Sequence, residues 1–272
     1  MSYKTILTHV RNTPAAALTL ESAVALARDL DATLLGLGAE MIPPSGAPDP
    51  SGLIEGQWAA LMREQIEKNL GEAERSFTAA ASGVASAWVR SLDLPVRALA
   101  RAARAADLIV VGSSPSQANP YQDCDVGALA ITSGRPVLVA PPSGGRLKAD
   151  KIVVAWKDSR EARRAVSDAL PLLRRAQEVE VLQVYQDDPE DADYQTNDVV
   201  DALRRHGVKA RARTTEAAED CVSRELYDAG VAIGADLIVS GAYGHNRLSE
   251  WAFGGVTRTL LSERRHFLLL SH

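Results

Sequence analysis

The chain has 272 residues, which suits two domains of ordinary size or one large domain. Its net charge of −5 argues against non-specific binding to nucleic acid, because such binding needs a basic face. No apolar run approaches the roughly 18 residues of a membrane span, and no signal peptide is visible at the N-terminus, so we expect a cytoplasmic protein without a membrane segment.

Short apolar runs alternate with helical patterns through the first half of the chain. The pattern predicts strands at 5–10, 33–37, 85–90, 107–111 and 136–140. Between them it predicts helices at 14–30, 57–81, 95–105 and 126–132. The segment 42–52 is too rich in Pro and Gly for either element and is predicted to be a loop.

A Pro- and Gly-rich linker at 141–145 separates this half from a second one with the same alternation. There the pattern predicts strands at 151–155, 179–185, 209–214, 236–240 and 267–270. Helices are predicted at 161–176, 194–206, 221–233 and 256–262. The acidic run 187–191 has no calcium-loop spacing and is predicted to be a solvated loop.

The two halves also repeat in sequence. The segment 106–112 (A-D-L-I-V-V-G) returns at 235–241 as A-D-L-I-V-S-G, and Ile6-Leu7 corresponds to Ile152-Val153. We expect a tandem duplication with domains at 1–142 and 150–272. Each domain is an α/β unit with a five-stranded, doubly wound parallel sheet, and right-handed crossovers allow few strand orders, among them 3-2-1-4-5.

The segment 241–255 (G-A-Y-G-H-N-R-L-S-E-W-A-F-G-G) follows the fourth strand of the second half and leads into a helix. Glycines permit close approach of backbone amides, and a helix N-terminus favours an anion, so the segment is a candidate phosphate cradle. The alternative is a strand-to-helix loop with ordinary turn glycines. In the order 3-2-1-4-5 the neighbouring loop at 156–159 would face it, where ligands of such sheets bind.

These motifs resemble the universal stress protein family, whose ATP-binding members carry G-x2-G-x9-G-[S/T] on a 3-2-1-4-5 fold. The resemblance covers both halves, through the paired A-D-L-I-V-x-G segments and V-A-W-K-D-S near Val154. It implies a phosphate site in the second half made by Gly241, Gly244, Gly254, Gly255 and Val256. It places the adenine near Ala155, Trp156 and Val184. It also implies that the two halves pair through their last strands and that two chains form a homodimer.

Several residues of the second half depart from the family pattern or are open in role. Where the family usually has D-G-S, this chain has Lys157-Asp158-Ser159, so a basic residue replaces the acid, and Gly255 replaces Ser or Thr. His245 and Arg247 could touch a phosphate or could be solvated loop residues.

The first half departs further from the family pattern. Pro115 replaces the second glycine, and eleven residues instead of nine precede Gly127. Since proline lacks an amide donor, we expect no nucleotide there.

The leading hypothesis is a tandem universal stress protein that binds ATP or another adenine nucleotide, with or without Mg²⁺, in its second half. It would act in stress regulation without efficient catalysis. The alternative is an interaction protein of the same fold that binds no nucleotide. An ATP-hydrolysing enzyme is the third hypothesis, and the sequence shows no convincing metal ligand or base for it.

Overall fold

The computed structural model describes residues 2–45, 53–113, 118–242, 255–263 and 265–272, in which strands and helices alternate. The strands are β1 (Thr5–His9), β2 (Thr33–Ala39), β3 (Ser86–Ser91), β4 (Leu108–Gly112), β5 (Val137–Ala140), β6 (Lys151–Trp156), β7 (Glu178–Tyr185), β8 (Ala210–Glu216), β9 (Leu237–Gly241) and β10 (Phe267–Ser271). The α-helices are α1 (Pro14–Leu30), α2 (Leu53–Ala80), α3 (Pro95–Ala102), α4 (Val126–Thr132), α5 (Arg160–Leu173), α6 (Pro189–Arg205), α7 (Val222–Ile233) and α8 (Gly255–Glu263). None of these helices, over the residues described, has the length and apolar character needed to cross a bilayer.

All the strands join one sheet in the order β3-β2-β1-β4-β5-β10-β9-β6-β7-β8. Each half of the sheet has the order 3-2-1-4-5 with parallel neighbours, as in the doubly wound class predicted from the sequence. The halves meet at β5 and β10, which pair antiparallel with Leu269 opposite Leu138. The sheet is therefore continuous across the whole chain.

Helices cover both faces of this sheet because its central strands are apolar on both sides. In β4, Leu108 and Val110 point into a core beneath α1, α2, α5 and α6. The alternate residues Ile109 and Val111 point into a second core beneath α3, α4, α7 and α8. Side chains alternate along a strand, so a continuous apolar run is what a two-sided core requires.

The start of α6 corrects one prediction of the sequence analysis. The helix begins at Pro189, with Asp188 as its N-cap accepting from the amide of Asp191 at 3.0 Å. Residues 189–191 thus form the first turn of a helix, so the loop prediction was wrong for them, while Asp187 and Asp188 precede the helix and the whole run is exposed as predicted. Proline at the first helical position and carboxylates near the positive end of the helix dipole favour this start.

Cys124 and Cys221 lie far apart in the sequence without CxxC spacing, which predicts two buried thiols and no disulfide. Neither forms a disulfide, but only Cys124 is buried, and the burial predicted for Cys221 was wrong because it is exposed. Burial raises the pKa of the Cys124 thiol, with smaller contributions from Asp125 and Asp123. Cys221 ends a short 3₁₀ turn before α7, at the surface.

Candidate functional site

A cavity of about 460 Å³ opens at the carboxyl ends of β6, β7 and β9. Since β6 lies between β7 and β9, the strand order reverses here, and doubly wound sheets bind ligands at such a point. The volume falls in the range of roughly 300–1,000 Å³ that is typical of small-molecule sites. The cavity is lined by Ala155, Trp156, Lys157, Ser159, Glu161, Ala162, Leu182, Gln183, Val184, Tyr185, Gln186, Asp187, Asp188, Asp191, Ala192, Val222, Leu226, Ser240, Gly241, Val256 and Thr257.

The cavity brings together residues from three of the predicted segments. Those that line it are Ala155, Trp156, Lys157, Val184, Gly241 and Val256. Gly255 is the first residue of α8, next to Val256. The predicted residues Gly244, His245, Arg247 and Gly254 lie outside the described residues.

Asp158 does not line the cavity. Its carboxylate forms an ion pair with Arg163, one turn further along the chain, and both side chains are largely exposed. The Asp158 carboxylate is therefore paired with Arg163 at the surface, and it does not replace the acid that the family pattern places at position 157.

One wall of the cavity is apolar. Ala155 and Val184 pack against the core beneath α7 and α8, together with Leu182 and Leu226. Trp156 points to the opposite face of the sheet, where its side chain is buried. Ala155 and Val184 therefore form an apolar surface of the kind on which a planar base can lie, whereas the Trp156 side chain lies on the other face.

The opposite rim of the cavity is acidic, and sequence reasoning did not place it there. Asp187, Asp188 and Asp191 reach the rim because β7 turns directly into α6. The partial positive charge of the α6 N-terminus offsets part of their charge. The missed signal is the sequence Asp188-Pro189, a helix cap followed by a first-turn proline.

A chain of side-chain hydrogen bonds fixes the amide of Gln183 inside the cavity. The Thr196 hydroxyl donates to Gln183 Oε1 at 3.0 Å, and Gln183 Nε2 donates to Gln195 Oε1 at 3.3 Å. Gln195 Nε2 in turn donates to the Asp191 carboxylate at 2.6 Å. The chain links the cavity floor to the acidic rim and holds both in one arrangement.

Glu161 stands at the N-terminus of α5, where Ser159 caps the helix by accepting from the amide of Ala162 at 3.2 Å. Burial acts to raise the pKa of the Glu161 carboxyl, but its own backbone amide, Arg160, His272 and Ser159 together lower it. Glu161 is therefore a carboxylate at neutral pH.

Gly241 lines the cavity and also touches the start of α5. A Cβ at this position would lie 2.7 Å from the backbone nitrogen of Ala162 and 2.7 Å from the carbonyl carbon of Glu161. The backbone φ of Gly241 is not in the left-handed region, unlike that of Gly234. The glycine is thus required for the close approach of β9 and α5, whatever further part it has in ligand binding.

The first turn of α8 closes the end of the cavity next to β9. Val256 and Thr257 line it, and Thr257 is almost fully buried. Amides in the first turn of a helix have no partner within the helix and suit an anion. The family pattern has a hydroxyl at position 255, where this chain has glycine. Thr257, whose hydroxyl lies two residues further along the chain, was not predicted from the sequence.

Lys157 follows the last residue of β6 and lines the same cavity as the acidic rim and the first turn of α8. Its side chain is exposed, and it forms no ion pair with any described residue. Its ammonium group is therefore available to a ligand in the cavity.

The equivalent position in the first half is nearly closed. The cavity there measures about 190 Å³, and Arg11, which corresponds to Lys157, forms an ion pair with Asp123 in it. Gln122 also accepts from Arg11. Beside them His9 is buried, and its desolvation, together with the charge of Arg11, lowers the pKa of the imidazole to about 4. The first half thus has a smaller cavity, with an ion-paired arginine where the second half has Lys157.

Comparison with known proteins agrees with the fold of the chain. The universal stress protein family model matches residues 148–264. A universal stress protein from Archaeoglobus fulgidus DSM 4304 has a TM-score of 0.70 and 16% identity, with 98% of this chain and 95% of that chain covered. A putative universal stress protein from Pseudomonas aeruginosa UCBPP-PA14 has a TM-score of 0.63 and 16% identity, with 99% and 93% covered. Comparison with curated proteins gives no significant match.

The chain is thus a duplicated, doubly wound α/β protein with a small-molecule cavity at the switch point of its second half. Residues 148–264 match the universal stress protein family model, and the whole chain has the fold of the universal stress proteins on which it superposes.

Proposed function

We propose that this protein is a cytoplasmic stress-response module that binds one adenine nucleotide, such as ATP, in its second half. The observation that carries the proposal is the contrast between the halves. The cavity of about 460 Å³ is open where the glycine-rich segment was predicted to act, and its counterpart is reduced to about 190 Å³. The domain boundaries 1–142 and 150–272 and the association of two chains into a homodimer are part of the same proposal.

The polarity of the cavity supports one orientation of the nucleotide. The phosphates would lie at the first turn of α8, where Thr257 and free amides are donors and Lys157 supplies positive charge. The base would lie on Ala155 and Val184, toward the acidic rim at α6. Carboxylates such as Asp187 can accept from the exocyclic amine of adenine but would repel phosphate.

Thermal unfolding with and without ATP tests this proposal. At about 100 times Kd a ligand stabilises the folded state by about 2.7 kcal/mol, which for a chain of this size raises Tm by roughly 5–11 °C. Thr257→Val keeps the shape and removes the hydroxyl, and we expect about tenfold weaker ATP binding. Thr132→Val, at an exposed helical threonine of the first half, is the matched control and should leave binding unchanged.

Lys157→Ala separates the phosphate contact from the base contact. We expect weaker binding of ATP and unchanged binding of adenosine, because the lysine would face only the phosphates. Equal loss for both ligands would place Lys157 at the base and contradict the proposed orientation. Mg²⁺ is to be varied in the same titrations, since a cation can replace part of the lysine's charge at the phosphates.

The second candidate function is an interaction protein that binds no nucleotide. Among the described residues, four carboxylates line the cavity, from Glu161, Asp187, Asp188 and Asp191, against one lysine. Wild-type protein that is purified without nucleotide and shows no thermal shift with ATP would favour this candidate. The leading proposal assigns no residue a catalytic role, and steady ATP hydrolysis that is lost in Thr257→Val would contradict that part of it.

A further inference from the structure

A second, larger recess lies between α5 and α6. It has a volume of about 820 Å³ and is closed at its lower end by the N-terminal residues Ser2 and Tyr3 together with Asp107. Trp156 lies in the wall of both this recess and the nucleotide cavity, and is the one residue the two linings share. We refer to this recess as the α5–α6 cleft.

The first half of the chain provides an internal comparison for the cleft. Val166 and Leu170 of α5 correspond to Leu20 and Val24 of α1, 146 residues earlier. Leu20 and Val24 are 3% and 6% exposed, in one core with residues of α2 such as Phe77. Val166 and Leu170 are only partly buried, as is Val199 of α6 across the cleft. An apolar surface that is covered in one half is thus open in the other.

The charges at the cleft favour an anion. Asp107 accepts from two backbone amides at the start of β1, at 2.8 and 3.0 Å, and Asp168 is paired with Arg164 at 2.9 Å. At the upper end Arg163 is paired with Asp158. Arg174, at the lower mouth, has no ion-pair partner among the described residues. Asp107 keeps its negative charge but has its Oδ2 atom occupied by the two amides, so Arg174 is the charged group of the described lining that can receive an anionic ligand group.

The upper end of the cleft contains an unsatisfied hydrogen-bond donor. Trp156 is 8% exposed, and its indole Nε1 has no hydrogen-bond partner within the described part of the chain. A buried donor without an acceptor destabilises the structure, so buried indoles usually find a partner. The ends of the cleft are thus polar and its middle is apolar.

We propose that the α5–α6 cleft binds an amphipathic monocarboxylate, with its carboxylate at Arg174 and its hydrocarbon chain along Val166, Leu170 and Val199. The eight residues of helix from Arg174 to Val166 span about 12 Å, which suits a chain on the order of ten carbons. A recess with a volume of about 820 Å³ and two helical walls fits an extended small molecule. This proposal does not rest on nucleotide binding, although the cleft and the other cavity share Trp156 in their walls.

Calorimetric titration of the full chain with submicellar decanoate, decanol and decyltrimethylammonium tests the proposal. Decanoate should bind once per chain, decanol more weakly, and the cation least. Arg174→Gln should weaken decanoate about tenfold and leave decanol unchanged. Arg175→Gln is the matched control, because the adjacent Arg175 donates to the backbone carbonyl of Asp29 and does not line the cleft.

A second pair of variants tests the location. Ala202→Trp should fill the cleft and remove the binding of decanoate and decanol, whereas Asp198→Trp, at an exposed residue of the same helix outside the cleft lining, should not. Ser167→Trp fills the cleft from α5 if Ala202→Trp does not fold.

The proposal is overturned if folded wild-type protein binds no decanoate, if the three ligands bind equally, or if Ala202→Trp leaves decanoate binding intact. Concentration-dependent self-association that Ala202→Trp abolishes would also overturn it, since the cleft would then be an interface between two copies.

Discussion

Substitution of Gly241 by alanine tests directly whether packing against α5 requires a glycine at the start of the segment 241–255. The added Cβ would lie 2.7 Å from backbone atoms of both Ala162 and Glu161, closer than any ordinary contact. Neither neighbour is a flexible side chain, so β9 or the start of α5 must move. Overpacking of this kind costs typically about 1–3 kcal/mol, which corresponds to a loss of roughly 2–12 °C in Tm for a chain of this size.

The assay is thermal unfolding of the ligand-free protein, followed by circular dichroism. Gly56→Ala is the control, because Gly56 is helical and a Cβ there meets nothing within 4 Å. Removing a glycine from a helix interior should stabilise the protein by about 0.5–1 kcal/mol. An unchanged ligand-free Tm for Gly241→Ala, with the ATP-induced shift lost, would refute the packing argument and show that the glycine serves the ligand alone.

Three further predictions concern the first half of the chain and the thiols. His9 has a pKa of about 4 in the folded protein against about 6.5 unfolded, so its contribution to stability is present above pH 6.5 and is lost as the pH falls toward 4. We expect a loss on the order of 3 kcal/mol, measured as Tm against pH and reduced in His9→Gln. Asp123→Ala should lower stability by about 1–3 kcal/mol in denaturant unfolding, because it leaves the partly buried Arg11 without its partner; unchanged stability would contradict this. In native protein an alkylating reagent should modify Cys221 and spare Cys124, as peptide mass spectrometry can establish, and equal modification would contradict the burial of Cys124.

The sequence predicted the fold class because its signals are local and repeated. The two A-D-L-I-V-x-G segments mark corresponding strands, β4 and β9, and apolar runs of five residues between helical patterns leave few alternatives to a parallel sheet. Helix starts were less accurate. The structure starts α6 five residues before the predicted position 194, because the cap at Asp188, the proline at 189 and the acidic first turn all favour a start there.

The sequence predicted only the part of the site that lies at the ends of strands. Ala155, Val184 and Gly241 stand at strand ends, where the topology alone brings them together. The pairing of Arg11 with Asp123 joins residues 112 positions apart, and nothing in the local sequence indicates it. The smaller cavity of the first half could therefore not be predicted, because it depends on the folded chain bringing Asp123 beside Arg11.

The central claim is that one nucleotide binds per chain, in the second half. Calorimetric titration of the purified, nucleotide-free protein with ATP measures this stoichiometry directly. The account predicts one site per chain, with an affinity that Thr257→Val weakens and that Asp123→Ala leaves unchanged. Two sites per chain, or a single site that is lost in Asp123→Ala and kept in Thr257→Val, would contradict it.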